Sequence, residues 1–380
     1  WDEILRPGLE RHSIVMSWHG TRGAHDAAVQ GFDAVLAPQP TFYFDNRQSG
    51  LATEGPGRLT IVSLEDVYRF DMRDPTSSAS AKRHILGLQA NLWTEHMQTE
   101  ERVQRMAWPR AAAIAELGWS DPARHDWPDF LRRLVPMFAR YSELGLAYAD
   151  SVYAVDAQRS RSDAGIAVAL SNQARAGEIR YTLDGSDPTV NSALYTAPLA
   201  VPSGTEIHAA TFVQSRQASD PWVSRLDAGS LGRRDSHDLE LCSNGVGLLL
   251  EPTQGRTSRG APLAIDIMNP CWIDRGVDLT RGGKITASVA ALPFNYELGK
   301  EAGSIRVGDA HTADGELEIH IDGCDTPAVV TLPLATAAAG ITELPSAALP
   351  ARAGRHDLCI RFARPRLDPM WALDWIEVGE

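Results

Sequence analysis

No apolar stretch in this sequence approaches the roughly 20 residues that a membrane-crossing helix needs, and no charged segment followed by an apolar one opens it. A membrane-embedded chain is therefore not expected. Positive charge is in short supply: 36 basic residues face 49 acidic ones, a formal net charge of -13. That balance repels phosphate backbones and anionic headgroups, so nucleic acid is excluded as a partner. Lysine is nearly missing, with Lys82, Lys284 and Lys300 the only ones among those 36. Cysteine is scarce too. Cys242, Cys271, Cys324 and Cys359 are the four present, all in the C-terminal region, with no CxxC spacing and no histidine pair at ligand spacing beside them. An even number in one region favours two disulfides over four reduced core thiols, and zinc is the least favoured reading. Four cysteines allow three connectivities, of which the local pairs Cys242 with Cys271 and Cys324 with Cys359 are preferred. No metal and no cofactor is expected.

What is present is an ordinary globular composition, 43% hydrophobic and 22% charged over 380 residues, enough for two or three domains. Along the first part, strand and helix signals alternate. IVMSW at Ile14 to Trp18 reads as a strand, the Ala-rich stretch up to Gly31 as a helix, DAVLAP from Asp33 as a strand, and SLEDVYRF as a helix capped by Ser63. ILGLQANLW from Ile85 reads as another strand, followed by a helix from Thr99 to Leu117 broken near Pro109. Helical spacing returns between Asp129 and Leu146, at Leu131, Leu134, Phe138 and Tyr141. Such alternation implies a parallel sheet, with too few units here to close a barrel of eight.

The texture then changes to short strands, IAVAL, EIRYT, ALYTAPLAV and TEIHAATFV, with Asp184-Gly185 placed as a hairpin turn. A polar stretch from Asp227 to Asp238 reads as a linker, and everything beyond it is β-like. The expected architecture is therefore α/β followed by all-β. Residues 1–150 would form part of a (β/α)8 barrel, 151–226 a small β-sandwich, and 236–380 a second β-sandwich.

Six side chains fall at the expected strand ends of the first part: Trp1, Trp18, Tyr43, Asp45, Trp93 and Glu95. In a parallel α/β barrel those ends aim at one central volume. Tyr43 with Asp45, and Trp93 with Glu95, are aromatic and acid two apart on extended backbone, so each pair can face one side. A pyranose has apolar C–H faces that lie against aromatic rings, and hydroxyls that suit carboxylates. The same six could instead plug a barrel and pair with arginines.

The segment GLQANLWTEHMQTEERVQRMAWPRAAAIAELGWS, Gly87 to Ser120, resembles the last barrel strand and helix of glycoside hydrolase family 20, the β-N-acetylhexosaminidases and chitobiases. WDEIL at Trp1, VMSWHG at Val15 to Gly20 and APQPTFYFD at Ala37 to Asp45 match the family's fifth, sixth and seventh strand ends in the same order, so the resemblance spans residues 1–145. IRYTLDGSDPTVNSALYTAPL, Ile179 to Leu199, resembles the small C-terminal domain of bacterial members.

The resemblance implies the C-terminal half of a TIM barrel, about strands five to eight. It implies an enzyme that removes terminal N-acetylglucosamine or N-acetylgalactosamine from glycans by substrate-assisted, retaining hydrolysis. Trp1, Trp18 and Trp93 would line the acetamido pocket, and Tyr43 would bond the acetamide oxygen. Glu95 would take the 4-hydroxyl and Asp45 the 6-hydroxyl. The resemblance implies that the family's catalytic Asp-Glu pair follows a fourth strand that would precede Trp1; Asp2-Glu3 directly follows a pocket tryptophan and reads as structural. An N-terminal barrel half is thus an expected partner, the isolated chain is expected to be inactive, and a signal peptide for a periplasmic or extracellular location is expected outside this chain. The rival reading is a non-catalytic carbohydrate-binding protein.

Other candidates read as structural. His19 and His96 neighbour pocket residues, Arg110 and Glu116 would form an ion pair on the last helix, and Asp184, Ser186 and Asp187 suit a turn. The ending AGRHDLCIRFARPRLDPMWALDWIEV resembles, more loosely, jelly-roll carbohydrate-binding modules, for which Trp272, Tyr296, Trp371 and Trp375 could form a platform or be core.

Overall fold

A computed structural model of the chain describes all residues except 11, 73–78, 96, 163–164, 228, 244–246, 251–261, 297, 338–339 and 380. The first part contains β1 (Ile14–Ser17), α1 (Arg22–Val29), β2 (Asp33–Leu36), β3 (Asn46–Arg47), β4 (Gly57–Ile61), α2 (Leu64–Tyr68), α3 (Ala79–Lys82), β5 (Ile85–Leu88), α4 (Glu100–Ala107), α5 (Arg110–Trp119) and α6 (Trp127–Glu143). The expected alternation is there. A parallel sheet runs in the order β1-β2-β5, with Ser17 opposite Leu36 and Leu36 opposite Leu88. Parallel neighbours need a crossover, and α1 provides the first: its buried Ala24 and Ala27 are small enough to lie close against Val15, Ala34 and Leu36.

The chain from Ala37 to Asp45 adds no full strand to this sheet. Pro38 and Pro40 lack the N–H that a ladder requires, and what remains is a single parallel bridge between Tyr43 and Asn91. Helix starts follow their caps. Ser63 and Asp66 form a capping box on α2, Thr99 Oγ1 accepts from the Arg102 N–H at 3.2 Å, and Asp126 accepts from the Asp129 N–H at 2.8 Å. The break near Pro109 separates α4 from α5. The apolar stripe of α6, including Leu131, Leu134, Phe138 and Tyr141, is buried in a core shared with Phe42, Phe44 and Leu117.

The small sandwich comprises β6 (Asp156–Ser162), β7 (Gly165–Ser171), β8 (Glu178–Thr182), β9 (Ala193–Leu194), β10 (Leu199–Val201), β11 (Glu206–Val213), β12 (Arg216–Gln217) and β13 (Trp222–Arg225). Two sheets, β10-β7-β6 and β12-β11-β8-β9 with β13 on β11, close over Ile166, Val168, Leu170, Val201 and Ile207. Asp184-Gly185 is not the tight hairpin turn expected. Arg180 pairs with Leu194 and Tyr181 with Ala193, so the turn lies inside a longer loop, where Asp184 Oδ1 accepts from the Ser186 N–H at 3.0 Å and its hydroxyl at 2.6 Å. Asp187 instead bonds His208, at 2.9 Å.

The remaining strands are β14 (Arg233–Asp235), β15 (Glu240–Leu241), β16 (Gly247–Leu250), β17 (Leu263–Asp266), β18 (Cys271–Asp278), β19 (Gly283–Leu292), β20 (Glu316–Ile321), β21 (Val330–Pro333), β22 (Gly340–Glu343), β23 (Ala347–Leu349), β24 (Arg355–Ala363) and β25 (Met370–Gly379). Two antiparallel sheets, β14-β25-β19-β22 with β23 on β19, and β15-β18-β24-β20-β21, enclose one apolar core. The stretch read as a linker is built into it: β14 pairs with β25, and Asp235 is buried. Cys242 is bonded to Cys271 and Cys324 to Cys359, the preferred pairs.

The indoles of this region are core rather than platform. Trp272 is fully buried, with its Nε1 donating to the Ala264 carbonyl at 2.8 Å, and Trp371 joins the same core. A bulge at Asp374, between the Ser288–Trp375 and Val289–Leu373 pairs, breaks the alternation that would have matched Trp371 to Trp375. Trp375 is buried beneath the Arg233 guanidinium, 4.1 Å from the ring centroid. One further sheet crosses between regions. It runs β17-β16-β4-β3, so β16 pairs antiparallel with β4 of the first part, Leu248 opposite Arg58.

Candidate sugar-binding site

β1 ends at Ser17 and delivers Trp18; the bridge between Tyr43 and Asn91 fixes the next two segments, with Phe44 N–H donating to the Asn91 carbonyl and Asn91 N–H to that of Phe42, both at 2.8 Å. Along Phe42 to Asp45 the alternation of extended backbone sends Phe42 and Phe44 into the core beneath, which leaves Tyr43 on the other side. Trp93 follows two residues after Asn91. The outcome is a closed ring of four aromatics. Centroid separations are 6.1 Å for Trp1–Trp18, 6.3 Å for Trp18–Tyr43, 6.5 Å for Tyr43–Trp93 and 6.1 Å for Trp93–Trp1, the last pair stacked and Trp1–Trp18 edge to face. Trp1 and Trp93 are 39% and 38% exposed, which a barrel plug would not be.

The two carboxylates occupy different surroundings. Asp45 is buried and held by Arg58 Nε at 2.7 Å. Burial raises the Tyr43 phenol above its ordinary pKa and the Asp45 charge adds to this, while a hydrogen bond with Asn91 opposes it; the phenol stays a donor at neutral pH. Glu95 is exposed and lines a cavity of 610 Å³ between the regions, shared with Thr99, Arg102 and Arg105 on one side and Asn295 and Tyr296 on the other.

Asp2 and Glu3 brace the ring from outside. Glu3 Oε1 accepts from Trp18 Nε1 at 2.9 Å, and Asp2 accepts from the His19 backbone N–H at 3.2 Å and contacts its Nδ1 at 2.9 Å. Gly23 permits this, since a Cβ there would meet Asp2 Cβ at 2.6 Å and Ser17 Oγ at 2.9 Å. Burial pushes the Asp2 carboxyl up, but the hydrogen bonds and charge of His19 outweigh it and hold the pKa below the ordinary 3.8. A depressed folded pKa stabilises above the unfolded value and loses that contribution as pH falls through the folded one. Tryptophan emission should therefore show an acid transition below pH 3.8 that Asp2→Asn removes; an unchanged titration in the variant would dissociate Asp2 from the ring.

Arg110 and Glu116 are structural, as expected, but not partners of each other. Arg110 is fully buried and donates to the carbonyls of Phe44, Asn46, Val62 and Met106 at 2.8–3.1 Å, with its guanidinium over the Phe44 ring. Glu116 takes Arg133 at 2.7 Å and the Tyr68 hydroxyl at 2.9 Å. The α5 helix carries the two on different faces, so each meets a different element. Sequence reasoning missed the Arg110 clamp, and also Arg58 and Asn91; only Asn91, beside the Trp93 segment, had a positional signal. His19 lies against Trp18, with ring centroids 3.7 Å apart and planes tilted by 38°, and His96 lies outside the described residues.

A ring of four aromatics with the buried Asp45 close by offers the apolar faces and the carboxylate that suit a pyranose. Residues 1–122 match the glycosyl hydrolase family 20 catalytic domain, and 158–222 match the chitobiase/beta-hexosaminidase C-terminal domain. Over these two stretches the chain is similar to family 20 hexosaminidases, and that family is one of glycoside hydrolases. A beta-hexosaminidase of Porphyromonas gingivalis is 35% identical over 207 residues, 52% of this chain and 26% of the relative. One from Akkermansia muciniphila is 41% identical over 106 residues, 27% of this chain and 21% of the relative. A solved family 20 exo-β-N-acetylglucosaminidase from Vibrio harveyi, in complex with N-acetylglucosamine, superposes with a TM-score of 0.34 at 27% identity over 38% of this chain and 23% of that one. The chain thus spans about a quarter of the length of these relatives.

Proposed function

We propose that this chain forms the substrate-binding half of a β-N-acetylhexosaminidase that removes terminal N-acetylhexosamine from glycans. The observation that carries the reading is the closed ring of Trp1, Trp18, Tyr43 and Trp93 with two exposed indoles. The indoles take the acetamido methyl and the apolar sugar face, and Tyr43 donates to the acetamide oxygen. Asp45 and Glu95 take the 6- and 4-hydroxyls. The three parallel strands and the bridge at Tyr43 support the C-terminal half of a (β/α)8 barrel, about strands five to eight, with small and large β-sandwiches at 151–226 and 236–380. Two disulfides in the last region support an oxidising, periplasmic or extracellular location.

Hydrolysis in this mode has the acetamide oxygen attack the anomeric carbon while an acid protonates the leaving oxygen, and a second carboxylate steadies the acetamide. Among the described residues, the Asp-Glu pair beside the ring is Asp2-Glu3, and both of its members are engaged by His19 and Trp18. The acid is therefore supplied from outside these residues. The 380-residue chain should release no p-nitrophenol from p-nitrophenyl N-acetyl-β-glucosaminide, yet N-acetylglucosamine should perturb its tryptophan emission. Turnover that Glu3→Gln abolishes would overturn the assignment of Asp2-Glu3. Binding without turnover, even when the chain is joined to an upstream barrel half, would favour the carbohydrate-binding reading.

A further inference from the structure

The four cysteines are far apart in sequence, the bonded partners being separated by 29 and 35 positions, yet the fold gathers all four sulfurs within 4.8 Å of one another. Sheet register explains half of this. Cys271 on β18 lies opposite Arg361 of β24, and Cys359 opposite Ile273, so the two cysteines are diagonal neighbours on the same face. The loop after β20 brings Cys324 over that face, and the chain after β15 brings Cys242, whose N–H donates to the Cys271 carbonyl at 3.2 Å. Sulfurs that are not bonded to each other stand at 3.4 Å (Cys271–Cys324), 3.5 Å (Cys271–Cys359) and 3.7 Å (Cys242–Cys324). A zinc ion held by four thiolates at about 2.3 Å sets a tetrahedral sulfur–sulfur edge of about 3.8 Å. Three edges of such a tetrahedron are thus already close to their length, between residues that share no bond.

We propose that these residues form a tetrathiolate site for a zinc-sized divalent cation whenever they are reduced. Two disulfides under oxidising conditions and one metal site under reducing conditions would then hold the same two strands and two loops. The interconversion balances: each disulfide takes two electrons and two protons from a dithiol, which closes to its own disulfide, or two electrons from a phosphine and two protons from water, whose oxygen leaves as the phosphine oxide, to give two thiols. Four thiols then bind the cation and release four protons, leaving a centre of net charge -2. Cys271 and Cys359 are buried at 4% and 2% exposure, which shields their sulfurs from competing water, while Cys242 and Cys324 are half-buried and give the ion a way in. Sequence spacing hides the site because its ligands come from two paired strands and two loops rather than from a zinc knuckle.

The test uses the full 380-residue chain. After reduction by a phosphine, incubation with zinc chloride and desalting, it should retain about one zinc per chain, and the oxidised chain almost none. Cobalt(II) in place of zinc should give the intense visible bands of tetrahedral geometry with a sulfur-to-metal charge-transfer band in the near ultraviolet. Cys242→Ser, at a half-buried position, should lower zinc retention at least tenfold, and the Cys271→Ser/Cys359→Ser pair should abolish it. Three results would each overturn the proposal: a reduced, folded chain without zinc, cobalt spectra of octahedral type, or reduction that unfolds the last region at every zinc concentration.

Discussion

Arg110→Met is expected to destabilise the first part by about 4 kcal/mol, a large share of the margin of an ordinary domain, because it takes the charged donor away from four carbonyls. Those carbonyls belong to Phe44, Asn46, Val62 and Met106, on the segment entering β3, the end of β4 and the last turn of α4, and no ladder joins the helix to the two strand segments. Burial pushes the Arg110 pKa down to about 9, a measure of how dry the position is. Its charge is nevertheless well used, since hydrogen bonds to a charged donor are worth roughly twice neutral ones. Arg110→Lys keeps the charge but cannot divide it among four acceptors, so it should recover only a minor part of the loss. Urea denaturation followed by tryptophan emission reads the effect. A change below about 1 kcal/mol in either variant would mean that the segment carrying Tyr43 and Asp45 holds its shape without the clamp.

Trp93→Ala is expected to weaken binding of N-acetylglucosamine about thirty-fold, the roughly 2 kcal/mol typical of an aromatic anchor. The ring touches Trp1 and Tyr43 in the cup, and with 38% of its surface exposed it contributes little to the core. Its melting temperature should therefore move little. Trp375→Ala makes the natural contrast: that indole is buried under Arg233, so its loss should cost stability and leave sugar affinity unchanged. Calorimetric titration and thermal melts of the two variants separate the effects. Equal affinity for wild type and Trp93→Ala would dissolve the assignment of the aromatic ring as a sugar site.

Most of the first part was legible in the sequence because its signals are local. Ser63 and Thr99 cap helices by their own hydroxyls, Pro109 breaks one, and the stripe Leu131, Leu134, Phe138 and Tyr141 needs only a core to face. The aromatic ring was legible for a different reason: the family resemblance singled out its four members, although only Trp18 directly follows a strand of the parallel sheet, Tyr43 and Trp93 being set by the bridge at Asn91 and Trp1 by the turn after it. What stayed hidden depended on contacts between distant segments. Arg58 meets Asp45 only because β4 is paired into a sheet, and Arg110 finds four acceptors from sequence positions up to 66 residues away. The bulge at Asp374 changed the face of Trp375 without any glycine or proline to announce it.

The β17-β16-β4-β3 sheet has a bearing on how this chain can be cut. Arg58, which grips Asp45 beside Tyr43, sits on β4 with Leu248 of the C-terminal region as its cross-strand neighbour. The C-terminal region is thus a buttress for the wall of the aromatic cup rather than baggage hung behind it. Trimming the chain at the end of the small sandwich would strip β4 of its companion and leave an open ladder edge beside the Arg58–Asp45 ion pair. Boundaries drawn by domain type would run straight through a single mechanical unit.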